Sequence, residues 1–315
     1  MTKDEAFLLI APIRAISEAA GDEIMPFFRR PGLTVKAKHD GSPVTDADML
    51  AERLILSALR ELTPMITVIS EEAVAAGTVP VPPDGLLWLV DPLDGTKDFI
   101  DGRAEFTVNI ALVDGDQLKL GVVHQPASHR IYAGAGLGTA TRRCNGLAEL
   151  RIRVRSMPKE GATLAVSRSH EHPEAIQSQL KGQRVVTLIS IGSSLKFCLV
   201  ADGTADLYIR TGPTREWDTA AGHAIVLAAG GRVTTFDGAP LRYGKTPQSR
   251  FQGFGIARHL NTLNVRADVL WDATAGKTVT RPVAPRTAQL KLCSCMLLKP
   301  TVSAGICVRQ PKGHV

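Results

Sequence analysis

The sequence predicts a layered α/β fold of the mixed α+β kind, in which layers of helix alternate with layers of sheet. Three observations favour this class. Amphipathic helical patterns alternate with short apolar runs along 315 residues, neighbouring runs are joined by turns such as Asp114-Gly115-Asp116, and 44% of the residues are hydrophobic, enough for a large core. Strands joined by such short turns form antiparallel meanders, which do not fit a pure βαβ repeat. We find no internal repeat.

Residues 1–150 are interpreted as an N-terminal α+β sub-domain that holds most of the candidate metal ligands. A helix is predicted over residues 4–29, where apolar residues recur at helical spacing until Pro31-Gly32 ends it. A second helix is predicted over residues 46–62, where an apolar residue recurs every four positions. Strands are predicted at residues 33–37, 65–69, 86–90, 107–113, 118–124 and 130–135.

Residues 151–272 are interpreted as a C-terminal α/β sub-domain. One helix is predicted from Ser193 or Ser194 to about residue 201, and an Ala-rich helix over residues 218–229 ends at Gly230-Gly231. Strands are predicted at residues 163–166, 185–189, 205–209, 232–236 and 253–257.

Residues 273–315 are interpreted as a basic, poorly ordered or peripheral tail, because they show no clear periodicity. Seven basic and no acidic residues fall between positions 276 and 315. Subtracting these charges from the net charge of +6 leaves −1 for residues 1–275. The body of the protein is therefore not basic, and its charge gives no reason to expect a nucleic-acid partner.

The amino-acid composition also predicts the cellular location. Five cysteines, an odd number without zinc-site spacing, predict reduced thiols and a cytoplasmic location. The apolar run at residues 6–13 is far shorter than the ~20 residues of a membrane-spanning helix, so no transmembrane segment is expected. The basic tail leaves peripheral association with the inner face of the cell membrane open, and the oligomeric state is left at monomer or homodimer.

The most informative motif lies at residues 88–100, which read Trp-Leu-Val-Asp-Pro-Leu-Asp-Gly-Thr-Lys-Asp-Phe-Ile. An apolar strand leads directly to Asp91 and Asp94, and Gly95-Thr96 then begins a predicted helix. Carboxylates brought together at a sheet edge repel one another unless a hard cation such as Mg²⁺ lies between them. Free backbone amides at a helix start suit a phosphate. For this motif alone, an Asx-Pro turn with Asp94 as a helix N-cap is the alternative.

Two further acidic groups favour the cation site over the Asx-Pro turn. Glu71-Glu72 follows a predicted strand, and Asp218 lies at the start of a predicted helix. Taken singly, the first reads as a charge pair in a first helical turn and the second as an N-cap. Together with Asp91 and Asp94 they indicate a shared cation site, with enough carboxylates for two Mg²⁺ ions ~3.5–4 Å apart.

Such a site still needs a nucleophile. No Ser-His-Asp or Cys-His arrangement stands out, so a water activated at the cation site is the simplest choice. Asp48 and Thr96 would polarise this water, because a hydroxyl held by a carboxylate can relay its proton. The alternative for Asp48 is a solvated residue in the first turn of a helix.

These motifs together resemble the inositol monophosphatase superfamily of Mg²⁺-dependent, lithium-sensitive phosphatases. The family pattern is an acid pair after a strand, then Asp-Pro-(Ile/Leu)-Asp-Gly-Thr, then Trp-Asp followed by small residues. All three parts occur in order, at Glu71-Glu72, Asp91–Thr96 and Trp217–Gly222, and the resemblance covers residues 5–260. Lys97 and the segments at 192–198 and 210–223 are similar to the bacterial 3'(2'),5'-bisphosphate nucleotidases of sulfur assimilation.

The resemblance implies a fold of the inositol-monophosphatase and sugar-phosphatase type and a set of roles. Two or three Mg²⁺ ions are implied, with Li⁺ as an inhibitor, and the substrate is a nucleotide bisphosphate such as adenosine 3',5'-bisphosphate. The implied metal ligands are Glu71, Asp91, the Leu93 carbonyl, Asp94 and Asp218. The implied catalytic residues are Asp48, Thr96 and Glu71, the last also placing a third, loosely held metal. The implied substrate-binding residues are Leu93, Asp94, Gly95, Thr96, Lys97, Ser193, Ser194, Lys196, Arg215 and Asp218.

Within this set, Gly95 and Thr96 are expected to cradle the phosphate that is removed, and Lys196 or Arg215 to lie near the second phosphate. A solvated helix residue is the alternative for Lys196. Two other functions remain open: an inositol or sugar phosphate monoesterase of the same superfamily, and a non-enzyme that binds nucleic acid or acidic membrane through the tail. Asp98 departs from the subfamily pattern, where Glu is common.

Overall fold

The computed structural model describes residues 1–78, 85–168, 173–180, 182–245 and 249–258. The predicted tail at residues 273–315 lies outside them. The helices are α1 (Lys3–Leu8), α2 (Ile10–Ile24), α3 (Asp46–Leu62), α4 (Glu71–Ala75), α5 (Thr96–Ile100), α6 (Pro173–Leu180), α7 (Leu195–Ala201) and α8 (Glu216–Ala228).

The strands fall into two large sheets and two small two-stranded sheets. In chain order they are β1 (Val35–Ala37), β2 (Pro43–Thr45), β3 (Thr67–Ser70), β4 (Leu86–Asp94), β5 (Thr107–Asp114), β6 (Gln117–Gln125), β7 (Arg130–Gly134), β8 (Thr141–Cys144), β9 (Leu150–Arg151), β10 (Ala162–Ser167), β11 (Val185–Ile191), β12 (Leu207–Arg210), β13 (Thr214–Arg215), β14 (Arg232–Thr234), β15 (Arg250–Phe251) and β16 (Phe254–Ala257).

The first large sheet has seven strands in the order β3-β4-β5-β6-β7-β8-β9. Only the β3–β4 pair is parallel; the remaining pairs form an antiparallel meander. The second sheet has five strands in the order β11-β10-β12-β16-β14, with β10 parallel to both neighbours. The small pairs are β1–β2 and β13–β15, both antiparallel.

Three helical layers enclose the two sheets. Helices α2 and α3 cover one face of the seven-stranded sheet, and α7 and α8 lie between its other face and the five-stranded sheet. Helix α6 packs on the outer face of the five-stranded sheet. This alternation confirms the predicted layered fold class.

Strand β5 shows why the first sheet is buried on both faces. Val108, Ile110 and Leu112 point to the α2–α3 side, while Ala111 and Val113 point to the α8 side. Because successive side chains alternate between faces, an unbroken apolar run predicts a strand covered on both sides.

Close packing of α8 on this sheet depends on glycine. A Cβ at Gly121 would overlap the carbonyl oxygen of Ala221, and a Cβ at Gly134 would lie 2.6 Å from the Cβ of Ala228. The helix that starts with the Trp217-Asp218 motif is therefore held tightly against the strands.

Two predicted elements differ clearly from the observed ones, while most other boundaries shift by one or two residues. The helix predicted over residues 4–29 is divided at Leu9 and ends at Ile24, followed by a 3₁₀ turn at Met25–Phe27. Pro12 explains the division, since it has no N–H to donate to the carbonyl of Leu8, and Pro26 coincides with the end. The strand predicted at 86–90 continues to Asp94, because the β4–β5 ladder resumes after a bulge.

No helix in the described part of the chain combines the length and apolar character needed to cross a bilayer.

Candidate active site

Strand β4 carries the two central acids to the end of the first sheet. Asp91 still pairs with Asn109 of β5, and the ladder then shifts register before Asp94. Asp91 is 1% exposed. Gly95 follows at φ +92°, and a Cβ there would lie 2.9 Å from the carbonyl oxygen of Glu105, so the turn between β4 and α5 requires glycine.

The parallel strand β3 brings a second acidic segment beside the first. Its end leads directly into α4, whose first residues are Glu71 and Glu72. Glu52 of α3 accepts hydrogen bonds from the Ser70 hydroxyl and from the backbone N–H of Ala73, the latter at 3.0 Å. These bonds fix the start of α4 next to the end of β4.

Helix α8 supplies the third acid. Asp218 is the third residue of the helix, and its Oδ2 accepts a hydrogen bond from the backbone N–H of Arg215 at 2.9 Å. Asp218 is therefore not the N-cap considered for it, since Arg215 holds that position and Asp218 bonds back to it from the first turn. This bond uses one carboxylate oxygen and leaves the other available.

The three segments bring Glu71, Asp91 and Asp218 together, with one oxygen of each within 4.8 Å of the others. Burial raises the pKa of both Asp91 and Asp218 well above the usual value, and the neighbouring carboxylates raise it further. Their charged forms therefore require compensation. Carboxylate oxygens are the ligands that hard divalent cations prefer, so this set fits a metal ion of that kind.

Lys38, in the turn between β1 and β2, also reaches this cluster. Its ammonium group lies 2.6 Å from Oε1 of Glu71 and 2.6 Å from Oε1 of Glu72. Although burial lowers the pKa of Lys38, the two glutamates more than offset this and raise it above its ordinary value. For Glu72, burial outweighs the attraction of Lys38 and raises the pKa to about 8.

Asp48 and Thr96 form the expected pair. The Thr96 hydroxyl lies 3.2 Å from Oδ1 of Asp48 and 3.1 Å from the carbonyl oxygen of Leu93. The other oxygen of Asp48 accepts bonds from the N–H and hydroxyl of Thr45, at 2.8 and 2.6 Å. Asp48 is 1% exposed, so the structure does not support reading it as a solvated helix residue.

Ser194 links the second half of the chain to Asp94. Its Oγ accepts a hydrogen bond from Nδ2 of Asn109 at 2.8 Å and lies 2.8 Å from Oδ2 of Asp94. The carbonyl oxygen of Asp218 is 2.9 Å away. Asp94 is thereby oriented by Asn109 of β5 and by Ser194, the residue before α7.

The comparisons with known proteins agree with this geometry. The chain matches the model of the inositol monophosphatase family over residues 5–260. It is 44% identical over 251 residues to the 3'(2'),5'-bisphosphate nucleotidase CysQ of Escherichia coli, and the match covers 76% of this chain and 95% of that protein. The chain belongs to the inositol monophosphatase family.

Two further relatives extend the match. The 3'(2'),5'-bisphosphate nucleotidase CysQ of Salmonella typhimurium is 43% identical, over 79% of this chain and 98% of that protein. The crystal structure of CysQ from Bacteroides thetaiotaomicron superposes with a TM-score of 0.66 at 36% identity, over 82% of this chain and 98% of that one. The resemblance inferred from the motifs is thus confirmed. Metal dependence is typical of this family, and the acidic cluster fits it.

A cavity of about 300 Å³ opens over the acids. Its walls include the acidic segment, the β4–α5 turn, the start of α7 and strand β12. The predicted residues that line it are Glu71, Asp94, Gly95, Thr96, Lys97, Ser193, Ser194, Lys196 and Asp218. Asp48, Asp91 and Leu93 are buried next to these lining residues.

Lys196 is a buried cation among the residues that line the cavity. It is 5% exposed, so the solvated alternative does not describe it, and its ammonium donates to the carbonyl oxygen of Ser193 at 2.6 Å. Burial lowers its pKa to about 8, although Asp94 acts in the opposite direction. The ammonium also lies 5.5 Å from the ring centroid of Tyr208.

Arg215 is placed differently from the expectation. Its guanidinium lies over the ring of Trp217, with Cζ 5.5 Å from the ring centroid, and it is not among the residues that line the cavity. Ser194 also differs, since its buried hydroxyl contacts Asp94 rather than pointing freely into the cavity.

Sequence reasoning missed Lys38, Tyr208 and Arg210. Arg210, on β12, lines the cavity, and its buried Nε has no hydrogen-bond partner among the described residues. Arg210 precedes the Trp217-Asp218 motif on the segment Arg-Thr-Gly-Pro-Thr-Arg-Glu-Trp-Asp, so its place on that segment was a usable signal. Lys38 gave no such signal, because only the β1–β2 pairing brings it to Glu71.

Proposed function

We propose that this chain is a Mg²⁺-dependent phosphatase that hydrolyses the 3'-phosphate of adenosine 3',5'-bisphosphate to AMP and phosphate, in sulfur assimilation and nucleotide recycling. One observation carries the proposal: the acidic cluster and the cations Lys196 and Arg210 line the same cavity. A substrate with two phosphates needs both sets of groups: the acids, through metal, to hold the phosphate that is removed, and the cations to neutralise the other phosphate. Relatives named 3'(2'),5'-bisphosphate nucleotidase support the same substrate class.

The proposed metal ligands follow the acidic cluster. Glu71, Asp91 and the Leu93 carbonyl would hold a first ion, while Asp91, Asp94 and Asp218 would hold a second. Glu71 would also place a third, loosely held one. When bound, Mg²⁺ polarises the phosphoryl oxygens and lowers the pKa of water. Li⁺ is expected to inhibit by replacing a weakly held Mg²⁺.

Asp48 and Thr96 provide the path for the proton of the attacking water. The Thr96 hydroxyl accepts the proton from water while its own proton passes to Oδ1 of Asp48, 3.2 Å away. Because Thr45 fixes the other oxygen of Asp48, the carboxylate presents Oδ1 to Thr96 in one orientation. Burial raises the pKa of Asp48, which makes it a stronger base.

The backbone at Gly95 and Thr96 is proposed to cradle the scissile phosphate, with exposed Lys97 at the cavity mouth. Ser193, at φ +51°, directs the chain from β11 into α7, on whose first turn Lys196 lies. We propose Lys196 and Arg210 as the contacts of the second phosphate, in place of Arg215, which lies over Trp217.

The setting is proposed to be the cytoplasm. The two cysteines in the described ranges, Cys144 and Cys198, form no disulfide, which supports a reducing compartment.

The test is phosphate release, with Mg²⁺, from adenosine 3',5'-bisphosphate and from inositol 1-phosphate, measured side by side on the full chain. We expect a strong preference for the nucleotide in kcat/KM. A preference for inositol 1-phosphate would agree with the proposed metal site and contradict the proposed substrate. Release from neither would overturn the proposed activity.

A further inference from the structure

A second cavity, of about 370 Å³, lies outside the active site and shares no lining residue with it. It is bounded by β9 and the residues that follow it to position 155, and by the turn at Asp202-Gly203 that follows α7. Its charged lining residues are Arg142, Arg151, Arg153, Arg155 and Asp202. Four arginines against one aspartate make this cavity strongly cationic.

Two of the four arginines are neutralised by buried aspartates. Nη1 of Arg142 lies 2.8 Å from Oδ2 of Asp202, whose side chain is 3% exposed. Arg155 binds Asp206 through two parallel bonds, Nε to Oδ1 and Nη2 to Oδ2, both at 2.7 Å. The Arg155 pair is bidentate, and the Arg142 pair uses a buried carboxylate. Both pairs are therefore fixed parts of the cavity wall.

The other two arginines have no such partner. Arg151 and Arg153 are exposed, and neither guanidinium has a hydrogen bond or ion pair with any residue that the structure describes. Their backbone is nevertheless fixed: Arg151 pairs with Thr141 in the β8–β9 ladder, and the N–H of Val154 donates to the carbonyl of Ala229 at 3.1 Å. The cavity therefore carries two uncompensated positive charges on an ordered frame.

Strand β9 ends at Arg151, but the N–H of Ile152 donates to the carbonyl oxygen of Ala140 and the N–H of Val154 to that of Ala229, so alternate N–H groups are bonded as they are along a strand. Residues two apart on a strand point to the same side and lie about 6.6 Å apart, given a rise of ~3.3 Å per residue. Two guanidinium groups at that spacing can each form a bidentate pair with a separate phosphoryl group. Unpaired like charges this close repel each other, so a bound dianion would relieve the repulsion.

We propose that this cavity is a second anion site, which binds a small soluble ligand carrying two phosphoryl groups. The volume lies within the range of ~300–1,000 Å³ typical of small-molecule pockets. The residues outside the basic C-terminal segment carry no net positive charge, so the surplus at Arg151 and Arg153 is a local feature. A local pair of cations on an ordered frame suits a small diphosphate ligand better than an extended polyanion.

The experiment uses inorganic pyrophosphate as the probe and isothermal titration calorimetry of the full chain in EDTA, so that divalent metals do not recruit the probe to the acidic cluster. We expect saturable binding to the unmodified chain. The double variant Arg151→Gln/Arg153→Gln should weaken binding by about tenfold or more, because two charge-assisted contacts are lost.

The matched control is Arg53→Gln/Arg60→Gln, which removes the same charge from two exposed arginines on α3 that have no ion pair with a described residue. Its affinity for pyrophosphate should stay within about threefold, as expected for distant surface charges. An equal loss in both double variants would overturn the site, as would the absence of saturable binding to the unmodified chain. Loss of binding in Arg210→Gln alone would also overturn it, since the probe would then lie in the active-site cavity that Arg210 lines.

Discussion

Ser194 Oγ lies 2.8 Å from Oδ2 of Asp94, although the two residues are 100 positions apart in the chain. This contact joins the start of α7 to the end of β4. The same hydroxyl accepts a hydrogen bond from Asn109 of β5. It therefore orients a proposed metal ligand from outside the acidic motif.

Ser194→Ala should reduce turnover and weaken the response to Mg²⁺, each by about 10- to 100-fold, because the hydrogen bond that orients Asp94 is lost. The measurement is kcat as a function of Mg²⁺ concentration. Ser190→Ala is the matched control, since Ser190 is exposed on β11 and its hydroxyl makes no hydrogen bond with the residues that the structure describes. Unchanged Mg²⁺ dependence in Ser194→Ala would show that Asp94 needs no such support.

Asp94→Asn should cut turnover by orders of magnitude while leaving the fold intact. The amide keeps an oxygen near Ser194 but removes the negative charge that a divalent cation requires. Turnover and the thermal unfolding temperature are measured on the same preparation. Activity near that of the unmodified enzyme would contradict the role assigned to Asp94.

Lys38→Met should destabilise the chain without metal by about 3 kcal/mol, because Glu71 and Glu72 lose the cation that neutralises them. Added Mg²⁺ should then restore more stability than it gives the unmodified chain. Thermal unfolding with EDTA and with Mg²⁺ measures both effects. Lys36→Met is the control, because the Lys36–Asp46 pair is exposed. Equal gains from Mg²⁺ in both variants would show that Lys38 does not replace a metal charge.

Arg210→Gln should raise KM for adenosine 3',5'-bisphosphate by about tenfold and leave KM for adenosine 3'-monophosphate nearly unchanged. The reason is that Arg210 lines the cavity from β12 as a proposed contact of the second phosphate, which the monophosphate lacks. Steady-state kinetics on the two substrates measure the ratio. A parallel rise for both substrates would indicate a structural role.

Lys196 should make substrate preference depend on pH. Burial lowers its pKa to about 8, so the free enzyme loses this charge as the pH rises through about 8, well below the ordinary ~10.4 of lysine. The ratio of kcat/KM for adenosine 3',5'-bisphosphate to that for adenosine 3'-monophosphate should therefore fall between pH 7 and pH 9.5, roughly one to two units either side of that pKa. The variant Lys196→Met should show a low ratio that does not change with pH, and a wild-type ratio independent of pH would contradict the assignment.

The sequence by itself determined the layered fold, the family and the acidic segments. These follow from local patterns: the apolar run of β4 is buried on both faces and ends at Asp91 and Asp94, and a helix start follows at Thr96. Hydrophobic periodicity and turn-forming residues are local features of the chain, so they predict helices, strands and turns without knowledge of the packing.

Only the tertiary structure decided which distant groups meet these acids. Lys38 reaches Glu71 through the β1–β2 hairpin, Ser194 reaches Asp94 across the β11–α7 junction, and Arg215 turns to Trp217 instead of the cavity. Each contact depends on how sheets and helices pack over long sequence separations, and no local pattern encodes that packing. The pairing of each charge, and hence its chemistry, is therefore a property of the folded chain.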